Sequence, residues 1–457
     1  MTQFDRDRTQ HPAVAVARRE PGAPPVPDQT PAMPAFWQDE DAAASADTAV
    51  ATDLARMFTD IDSIGHDPTR PDTGYHRAAW TREDLALRAW FARECDSLGL
   101  DLRVDAAGNQ WAWWGTPSPQ HPGVTTGSHL DSVPDGGAFD GPLGVLSALA
   151  AVRALQAAGV HPARPIGILN ASDEEGARFG IACFGSRVLT GALGPARALV
   201  RTDQDGTSLR EALDSAGIDT DAYGPDPAAL ALTAAHVELH VEQGYWLADT
   251  HSPVAVATHI WPHGRWRTEV GGVPDHAGTT PMERRDDALL SALAFPRDAH
   301  DAALAHGARA TVGHLEVLPG GANVIPGHVT LWLDARASEE EALSAVLEDL
   351  APWDPVQESF TPATHFDAQL RARLVAILAD VGLGAPEIGT AAGHDAGILQ
   401  NSGTPTAMLF VRNRTGSSHT PTEFATLSDC VDGVRALTAC LGGLAGQSLG
   451  PGEGGAS

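Results

Sequence analysis

Histidine and carboxylate side chains recur along this sequence in short motifs, and they are the ligands that borderline divalent metals prefer at neutral pH. In chain order the motifs read GSHLDSVPDGGAFDGPLG (127–144), SDEEGARFG (172–180), HVELHVEQG (236–244) and SSHTPTEF (417–424). Grouped ligands of this kind indicate metal-assisted hydrolysis, in which a neighbouring carboxylate accepts a proton from water.

The first motif places His129 and Asp131 two residues apart, at the end of a strand-like segment. There the imidazole of His129 could bind a metal while the Asp131 carboxylate braces its other ring nitrogen. A glycine-rich turn then folds the chain so that Asp140 returns toward His129. The structural alternative is a surface Asp/Gly turn with an incidental histidine.

The second motif places Glu174 and Glu175 directly after a buried strand pattern at 164–172. Adjacent carboxylates at a strand end can divide the chemistry, one binding a metal and the other accepting a proton. The alternative is a helix start with acidic residues, because carboxylates are favourable near helix N-termini.

The third and fourth motifs carry further histidines. His236 and His240 lie in an alternating pattern that is typical of a strand, where they would share a face. One of them is more simply a core or cross-strand histidine. His419 follows the strand-like segment 405–411, and a histidine in a turn is the alternative for it.

Strand and helix patterns alternate around these motifs. Segments 124–130 and 164–172 predict strands, and the apolar spacing after Gly141 predicts a helix between them. This order predicts an α/β sheet with covering helices, in which ligands bind at the carboxyl ends of strands. From about 253 to 353, three strand patterns and a helical pattern predict a compact α+β insertion.

The composition excludes several classes of protein. The chain has 457 residues, 43% of them hydrophobic, which predicts two or three domains with true cores. The formal net charge of −29 makes nucleic acid and anionic membranes unsuitable partners. Four cysteines without a CxxC spacing, and no apolar run long enough for a membrane helix, predict a soluble cytoplasmic protein.

We expect four regions along the chain. Residues 1–46 are rich in proline and alanine and predict a disordered leader, and residues 447–457 predict a loose tail. Residues 47–250 and 362–446 would form the metal-binding catalytic domain. Residues 251–361 would form the insertion.

Taken together, the motifs resemble the hydantoinase/carbamoylase family of dinuclear metal amidohydrolases, which includes allantoate amidohydrolases and N-carbamoyl-L-amino-acid hydrolases. The resemblance covers about residues 50–445 and includes the further segments DHAGTTPMERRDDAL (275–289), GGANVIPG (320–327), LDAR (333–336) and AAGHDA (391–396). It implies a catalytic α/β sheet domain of the dinuclear zinc aminopeptidase type, with a smaller inserted α+β domain that serves as lid and dimerisation domain.

The resemblance also implies a role for individual residues. Two divalent ions, of zinc, manganese, cobalt or nickel, would be held by five residues, with Asp140 as the bridging carboxylate: His129, Asp140, Glu175, His240 and His419. Glu174 matches the general base, and His276 matches the histidine that polarises the scissile carbonyl, often from the partner subunit. The substrate-binding positions are Gln243, Asn323, Arg336 and, in the same pocket, His394.

These implied roles agree with physical chemistry. Arg336 suits a carboxylate, because its planar fork donates two parallel hydrogen bonds. A protein of net charge −29 would otherwise repel a small acidic substrate, so a local positive clamp is needed. His276 could donate a hydrogen bond to a developing oxyanion.

Two departures from the family pattern bear on the pocket. Arg412 and Arg414 precede the last ligand where the family more often has a VPS-like segment, and they either reshape the pocket or lie on the surface. His236 replaces a common aromatic residue and is assigned a structural role.

We therefore predict a homodimeric amidohydrolase that cleaves a ureido C–N bond of a small carboxylate, with allantoate favoured over N-carbamoyl-L-amino acids. A metallopeptidase or N-deacylase of the same clan is the alternative enzyme. A catalytically inactive binding protein is the third possibility, and the intact Glu174 beside Glu175 argues against it.

Overall fold

The structure is a computed structural model that describes residues 40–448, apart from 68, 69, 71, 72 and 251, with side chains from residue 47 to 446. Most of the predicted leader and tail lies outside the described residues. Two differences are visible at the margins of those regions, since a helix begins at Glu40 and Gln447–Ser448 forms a short strand.

The helices within this range are α1 (Glu40–Asp62), α2 (Arg82–Ser97), α3 (Pro142–Ala157), α4 (Phe184–Thr190), α5 (Pro195–Ala198), α6 (Leu209–Ser215), α7 (Pro227–Leu230), α8 (Ala288–Ala292), α9 (Ala294–Ala305), α10 (Glu340–Asp349), α11 (Ala368–Asp380), α12 (Asp395–Asn401) and α13 (Leu427–Ala445). The strands are β1 (Asp101–Val104), β2 (Gln110–Trp114), β3 (Gly123–His129), β4 (His161–Pro162), β5 (Ile166–Ala171), β6 (Thr233–Val241), β7 (Val254–Ile260), β8 (His263–Gly271), β9 (Arg309–Leu318), β10 (His328–Arg336), β11 (Val356–Thr361), β12 (Thr364–His365), β13 (Glu387–Thr390), β14 (Thr406–Val411) and β15 (Gln447–Ser448).

The larger sheet has the strand order β1-β2-β5-β3-β6-β14-β7-β12, with β13 also paired to β7. Its centre is parallel, because β3 pairs in parallel with β5 and β6, and β6 with β14. Every residue of β3, β5 and β14 is buried, as expected for central parallel strands covered on both faces. The carboxyl ends of these four strands therefore meet at one edge of the sheet.

Helices cover both faces of this sheet. The larger core includes apolar residues of α1, α2, α3, α11 and α13 packed on the central strands. Helix α3 is buried on most of its circumference, which explains its nearly continuous apolar sequence. A second core, rich in aromatic residues, lies where α4 and α6 pack near β2.

A four-stranded antiparallel sheet forms from the chain between β7 and β12, in the order β11-β8-β10-β9. It has its own core, in which residues of α8, α9 and α10 pack against β8 and β10. Strands β9 and β11 are the edges of this sheet, and β9 is largely exposed. We call this segment, residues 263–361, the inserted domain.

The sequence predicted an α/β fold, and the large mixed sheet with helices on both faces confirms it. Across the part of the chain that is described, no helix has the length and apolarity needed to cross a bilayer.

Candidate metal centre and active site

The candidate site lies at the carboxyl ends of the central parallel strands. His129 is the last residue of β3, and Glu174 and Glu175 follow the end of β5. His240 is next to the end of β6, and His419 follows β14 after a loop. The parallel pairing of these strands brings residues from distant parts of the chain to one edge of the sheet.

Asp140 lies at the centre of this cluster and offers one carboxylate oxygen to each side. Its Oδ1 is 3.2 Å from His240 Nε2 and 3.7 Å from His129 Nε2. Its Oδ2 is 3.5 Å from His419 Nε2, which is itself 3.3 Å from Glu175 Oε2. Two groups of ligand atoms, each within 4.8 Å of one another, therefore share Asp140: His129, Asp140 and His240 in one, and Asp140, Glu175 and His419 in the other.

The two buried histidines are oriented with the same ring nitrogen toward Asp140. His240 Nδ1 lies 2.8 Å from the carbonyl oxygen of Val241, and His129 Nδ1 lies 3.1 Å from that of Asp131. Each Nε2 is left to face the cluster, the arrangement found for metal-binding histidines. His129 Nε2 is buried and has no hydrogen-bond partner among the described residues. This unpartnered nitrogen, surrounded by carboxylate oxygens, fits a metal ligand.

Gly141 allows the loop that carries Asp140 to pass close to His129. It has a positive φ of 82°, and a Cβ at this position would lie 2.4 Å from the imidazole of His129. Any other residue would therefore clash with the ring and adopt a strained backbone. The requirement for glycine after Asp140 in the first motif is therefore steric.

Asp131 connects two of the loops that form the site. Its carboxylate accepts hydrogen bonds from the backbone N–H groups of Glu174, at 3.2 Å, and Glu175, at 3.1 Å. The same carboxylate is 3.5 Å from His129 Nδ1. Asp131 thus holds the second motif against the first.

Glu174 is buried beside the histidines. Its Oε2 is 3.8 Å from His129 Nε2, and its Oε1 accepts a hydrogen bond from the Cys183 thiol at 3.1 Å. Burial raises the pKa of Glu174 well above its usual value, and the nearby charge of Asp395 adds to this effect while His129 opposes it. Burial also raises the pKa of Glu175, with Asp140 contributing.

Asp140 behaves differently from its neighbours. Burial by itself would raise the pKa of Asp140, but the hydrogen bond and charge of His240, with His129 and His419, lower the pKa below its usual value. Carboxylates crowded in a buried site are stabilised by cations, and an aspartate held ionised between histidines is a suitable cation ligand. The donor chemistry of the cluster therefore suits divalent ions.

Gln243 and His394 also lie in the cluster. Gln243 Nε2 donates to Asp140 Oδ2 at 2.8 Å and to Ser418 Oγ at 3.0 Å. The ring of His394 meets that of His240 edge-on, with centroids 4.6 Å apart. Burial and the charge of His240 hold the pKa of His394 well below its usual value, so its imidazole is neutral.

His236 lies in the core of β6, away from this cluster. It is buried with Nδ1 3.0 Å from Thr125 Oγ1, and burial lowers its pKa to about 3. Its Nε2 has no hydrogen-bond partner among the described residues, and a neutral histidine buried in the core in this way agrees with the structural role predicted for it.

Two predicted site residues lie in the inserted domain, away from the cluster. His276 and Asn323 are exposed and lie on adjoining loops, where the N–H of Ala277 donates to the carbonyl of Asn323 at 3.0 Å. No hydrogen bond or ion pair joins either side chain to the cluster in the described part of the chain.

Arg336, the predicted carboxylate clamp, lies at the end of β10 and contacts both domains. Its Nε and one Nη donate to the two carboxylate oxygens of Asp334, at 2.8 and 3.1 Å, and its other Nη donates to the carbonyl of Ala391 at 2.8 Å. Its fork is therefore engaged with Asp334 and with a carbonyl of the larger domain.

Arg412 and Arg414 both bind Asp429, near the start of α13. Arg412 Nη2 lies 2.6 Å from one oxygen of Asp429, and Arg414 Nε lies 2.7 Å from the other. Arg412 is buried and Arg414 exposed. Arg412 also donates to the carbonyl of Thr250 at 3.1 Å, and no hydrogen bond or ion pair joins either guanidinium to the metal-ligand cluster in the described ranges.

Three residues without a role predicted from the sequence also touch the site: Glu423, Ser418 and Cys183. Glu423 Oε1 accepts the N–H groups of Phe139, at 2.9 Å, and Asp140, at 2.8 Å. Ser418 donates to Asp140 Oδ2 at 3.0 Å. Glu423 and Ser418 lie in the fourth motif, so their nearness to His419 was a usable signal. Cys183 had no such signal, because only the turn that starts α4 brings it to Glu174.

Comparisons with known proteins agree on one family. The sequence profile of peptidase family M20/M25/M40 matches residues 125–442. An N-carbamoyl-L-amino acid amidohydrolase of Geobacillus stearothermophilus is 34% identical over 84% of this chain and 96% of its own length. An allantoate amidohydrolase of Bacillus subtilis is 31% identical over 81% and 92% of the two chains.

A solved structure gives the same result. An amidase of the hydantoinase/carbamoylase family from Burkholderia multivorans superposes with a TM-score of 0.74 and 31% identity, over 86% of this chain and 97% of that one.

Proposed function

The chain belongs to peptidase family M20/M25/M40, among its hydantoinase/carbamoylase amidohydrolases, and on this premise we propose that it hydrolyses a ureido C–N bond of a small carboxylate substrate. The predicted family and the predicted enzyme class, a hydrolase acting on non-peptide C–N bonds, are confirmed. Allantoate is the favoured substrate and N-carbamoyl-L-amino acids are next, with ammonia and carbon dioxide as the expected products of the carbamoyl group.

The observation that carries this proposal is the position of Asp140 between two sets of ligands. We propose that one divalent ion binds His129, Asp140 and His240, and that a second binds Asp140, Glu175 and His419. Zinc, manganese, cobalt and nickel all suit this ligand set. When bound, such ions make water acidic enough to lose a proton near neutral pH.

Glu174 would accept that proton. Burial raises the pKa of its carboxyl group, which favours holding the transferred proton until it is returned to the leaving nitrogen. The Cys183 thiol fixes one of its oxygens and leaves Oε2 toward the cluster. Gln243 and Ser418 hold the Asp140 carboxylate in orientation.

We propose that the protein is a homodimer and that His276 and Asn323 act on the substrate in the partner subunit. Their exposure on adjoining loops of the inserted domain supports this role, because side chains that must reach another active site need to be accessible. The neutral or protonated His276 would donate to the developing oxyanion. A cytoplasmic location, which the four free, buried cysteines support, is part of the same proposal.

Ammonia release tests the proposal directly. Metal-depleted protein, reloaded separately with manganese and with zinc, is assayed with allantoate and with a panel of N-carbamoyl-L-amino acids. We expect metal-dependent turnover of at least one ureido substrate, and loss of about 100- to 10,000-fold in kcat for Glu174→Gln with unchanged metal content.

Each outcome has a distinct meaning. Turnover of allantoate alone supports the favoured substrate, and turnover of carbamoyl amino acids alone replaces it while keeping the site. Metal-dependent cleavage of dipeptides without any ureido turnover would overturn the proposal in favour of the peptidase alternative.

A further inference from the structure

A cavity of about 240 Å³ lies where the larger domain meets the inserted domain. Both domains contribute to its walls, and the larger domain contributes Cys183 and His394. Cys183 contacts the proposed base Glu174, and the ring of His394 contacts that of His240. The cavity therefore lies directly beside the candidate metal centre.

Arg336, the predicted clamp for the substrate carboxylate, lies on the wall that the inserted domain forms. A substrate held there has its carboxylate at the inserted domain, while its carbamoyl group must reach the metal ligands of the larger domain. The carbon atom that joins these two groups carries one further substituent. That substituent has to occupy the rest of the cavity.

The rest of the cavity is cationic, which is unusual in a protein of net charge −29. Arg187 and Arg265 add two positive charges to that of Arg336, whereas Asp334 is the only carboxylate among the described lining residues. Both oxygens of Asp334 accept hydrogen bonds from Arg336. The cavity therefore suits a substituent that carries oxygen acceptors.

Arg187 enters the cavity from α4 of the larger domain, whereas Arg336 enters it from β10 of the inserted domain. The Nε of Arg187 donates to the carbonyl of Ala182 at 2.9 Å, which holds one edge of its guanidinium. Its two terminal amino groups have no hydrogen bond or ion pair with another residue in the described ranges. Two parallel donors held in this way match the oxygens of a planar acceptor group.

The charges of Arg187 and Arg336 both act on His263, which lines the same cavity. Burial lowers the pKa of His263, and the positive charges of the two arginines lower it further. In a cavity of about 240 Å³, two guanidinium groups that act on one imidazole can also bind two groups of one small molecule.

We propose that Arg187 binds a second, oxygen-bearing group of the substrate, in addition to the carboxylate predicted for Arg336, and so selects ureido acids with a planar acceptor on the central carbon atom. Two substrates of the proposed class carry such a group. Allantoate has a second ureido group, and N-carbamoyl-L-aspartate has a side-chain carboxylate. This inference rests on the proposed function, since it adds a specificity subsite to the same active site.

The test compares these two substrates with N-carbamoyl-L-leucine, whose side chain has nearly the shape of the aspartate side chain but no oxygen. In the wild type, kcat/KM for allantoate or for N-carbamoyl-L-aspartate should exceed that for N-carbamoyl-L-leucine at least about tenfold. Arg187→Gln should reduce this preference about 10- to 100-fold, mainly through KM. Arg187→Lys, which keeps the charge and loses the fork, should give an intermediate preference.

The two acceptor substrates distinguish the two sources of the bound group. Dependence on Arg187 for allantoate alone assigns the subsite to a ureido group, and dependence for N-carbamoyl-L-aspartate alone assigns it to a carboxylate. Either result supports the inference. An equal loss of kcat/KM for all three substrates in Arg187→Gln would overturn it.

Arg265→Gln is the matched control, because it removes one positive charge from the same cavity. The side chain of Arg265 is 69% exposed, so its charge is screened by water, and the preference should change by less than about twofold. Equal losses of preference in Arg265→Gln and Arg187→Gln would overturn the inference, because the total charge of the cavity, and not the fork of Arg187, would then select the substrate.

A binding measurement distinguishes failure of the inference from failure of the proposed function. Calorimetry on metal-loaded Glu174→Gln protein should detect tighter binding of allantoate or N-carbamoyl-L-aspartate than of N-carbamoyl-L-leucine, and the added Arg187→Gln change should abolish the difference. If the wild type releases no ammonia from any ureido acid, the proposed function fails while this measurement still decides the role of Arg187. Equal binding of the three compounds with Arg187 intact would overturn the inference.

Discussion

Residues on the larger sheet and residues of the inserted domain reach the proposed reaction in different ways. His129, Asp140 and His240 are buried at strand ends, with exposed fractions of 1%, 5% and 1%, and their orientation is fixed by neighbouring groups. His276 and Asn323 are exposed on loops, and their hydrogen bonds with described residues lie within their own domain. The larger domain therefore holds the proposed metal ligands in fixed positions, whereas the proposed substrate-binding groups of the inserted domain lie on its surface.

This difference explains how one chain can combine a rigid centre with an accessible substrate. Buried ligands must be held within narrow limits, because metal affinity depends on the positions of several donors at once. Residues that close over a substrate must leave room for it to enter. The burial of the proposed metal ligands suits metal binding, and the exposure of His276 and Asn323 suits contact with an entering substrate.

The largest expected effect on activity comes from variants that remove Glu174 from one subunit and His276 from the other. His276→Ala and Glu174→Gln should each lose at least about 100-fold in kcat. The two variants are then mixed in equal amounts and allowed to exchange subunits, so that half of the dimers contain one subunit of each variant. If His276 acts across the dimer, each of these mixed dimers has one intact site of its two. The mixture should therefore recover up to about a quarter of wild-type activity.

The control for this experiment mixes Glu174→Gln with the double variant Glu174→Gln/His276→Ala. Every subunit in this mixture lacks Glu174, so no site is intact whether His276 acts within its own subunit or across the dimer. Its activity should stay at the level of the single variant. Absence of recovery in the first mixture, despite proven subunit exchange, would show that His276 acts within its own subunit.

A smaller effect, on metal affinity, should follow from removing a hydrogen bond that supports the buried ligands of the larger domain. Glu423 is 4% exposed and holds the backbone of Phe139 and Asp140 through one carboxylate oxygen. Glu423→Ala should weaken metal binding about 10- to 100-fold, as removal of supporting groups around metal ligands commonly does. The readout is competition with a chromophoric chelator.

Glu423→Gln is the matched control, because it keeps an oxygen that can accept both hydrogen bonds. Its metal affinity should remain within about threefold of the wild type. If the glutamine variant is as weak as the alanine variant, the negative charge matters more than the acceptor, and the explanation given for Glu423 is wrong.

The smallest effect concerns the stability of the larger domain alone. Burial would raise the pKa of Asp429, but hydrogen bonds from Arg412, Thr426 and Arg414 lower it below its usual value. Asp429→Asn should cost about 2 kcal/mol in the free energy of unfolding, measured with denaturant, and His276→Ala should cost nothing measurable.

The pH dependence follows from the sign of that shift. A carboxyl group with a lowered pKa in the folded state stabilises the protein above its unfolded pKa of about 3.9, and the stabilisation is lost as the pH falls through the folded value. The difference between the wild type and Asp429→Asn should therefore be constant from about pH 5 to 8 and shrink below about pH 4. A difference that grows on acidification would contradict the assignment.

Much of the fold and of the cluster could be predicted from local patterns. The buried run of β5 and the motif after it located Glu174 and Glu175, because strand ends in parallel sheets converge. The glycine-rich turn of the first motif indicated a tight approach, and Gly141 does lie against the ring of His129.

Other features could not be predicted, because they depend on pairs of residues far apart in the chain. The hydrogen bond from Arg336 to the carbonyl of Ala391, 55 residues away across the domain boundary, is one example. Arg412 and Arg414 were ambiguous between pocket and surface, and their common partner Asp429 appears only in the folded chain.

The sequence by itself determined the residue types, the strand and helix periodicities and the order of the motifs, and these were sufficient for the α/β class and the family. Only the tertiary structure decided which oxygen of Asp140 faces which histidines, and that Glu423 supports Asp140 from 283 residues away. The physical reason is that periodicity reports local burial, whereas hydrogen bonds depend on distances of a few tenths of an ångström between segments that only packing brings together.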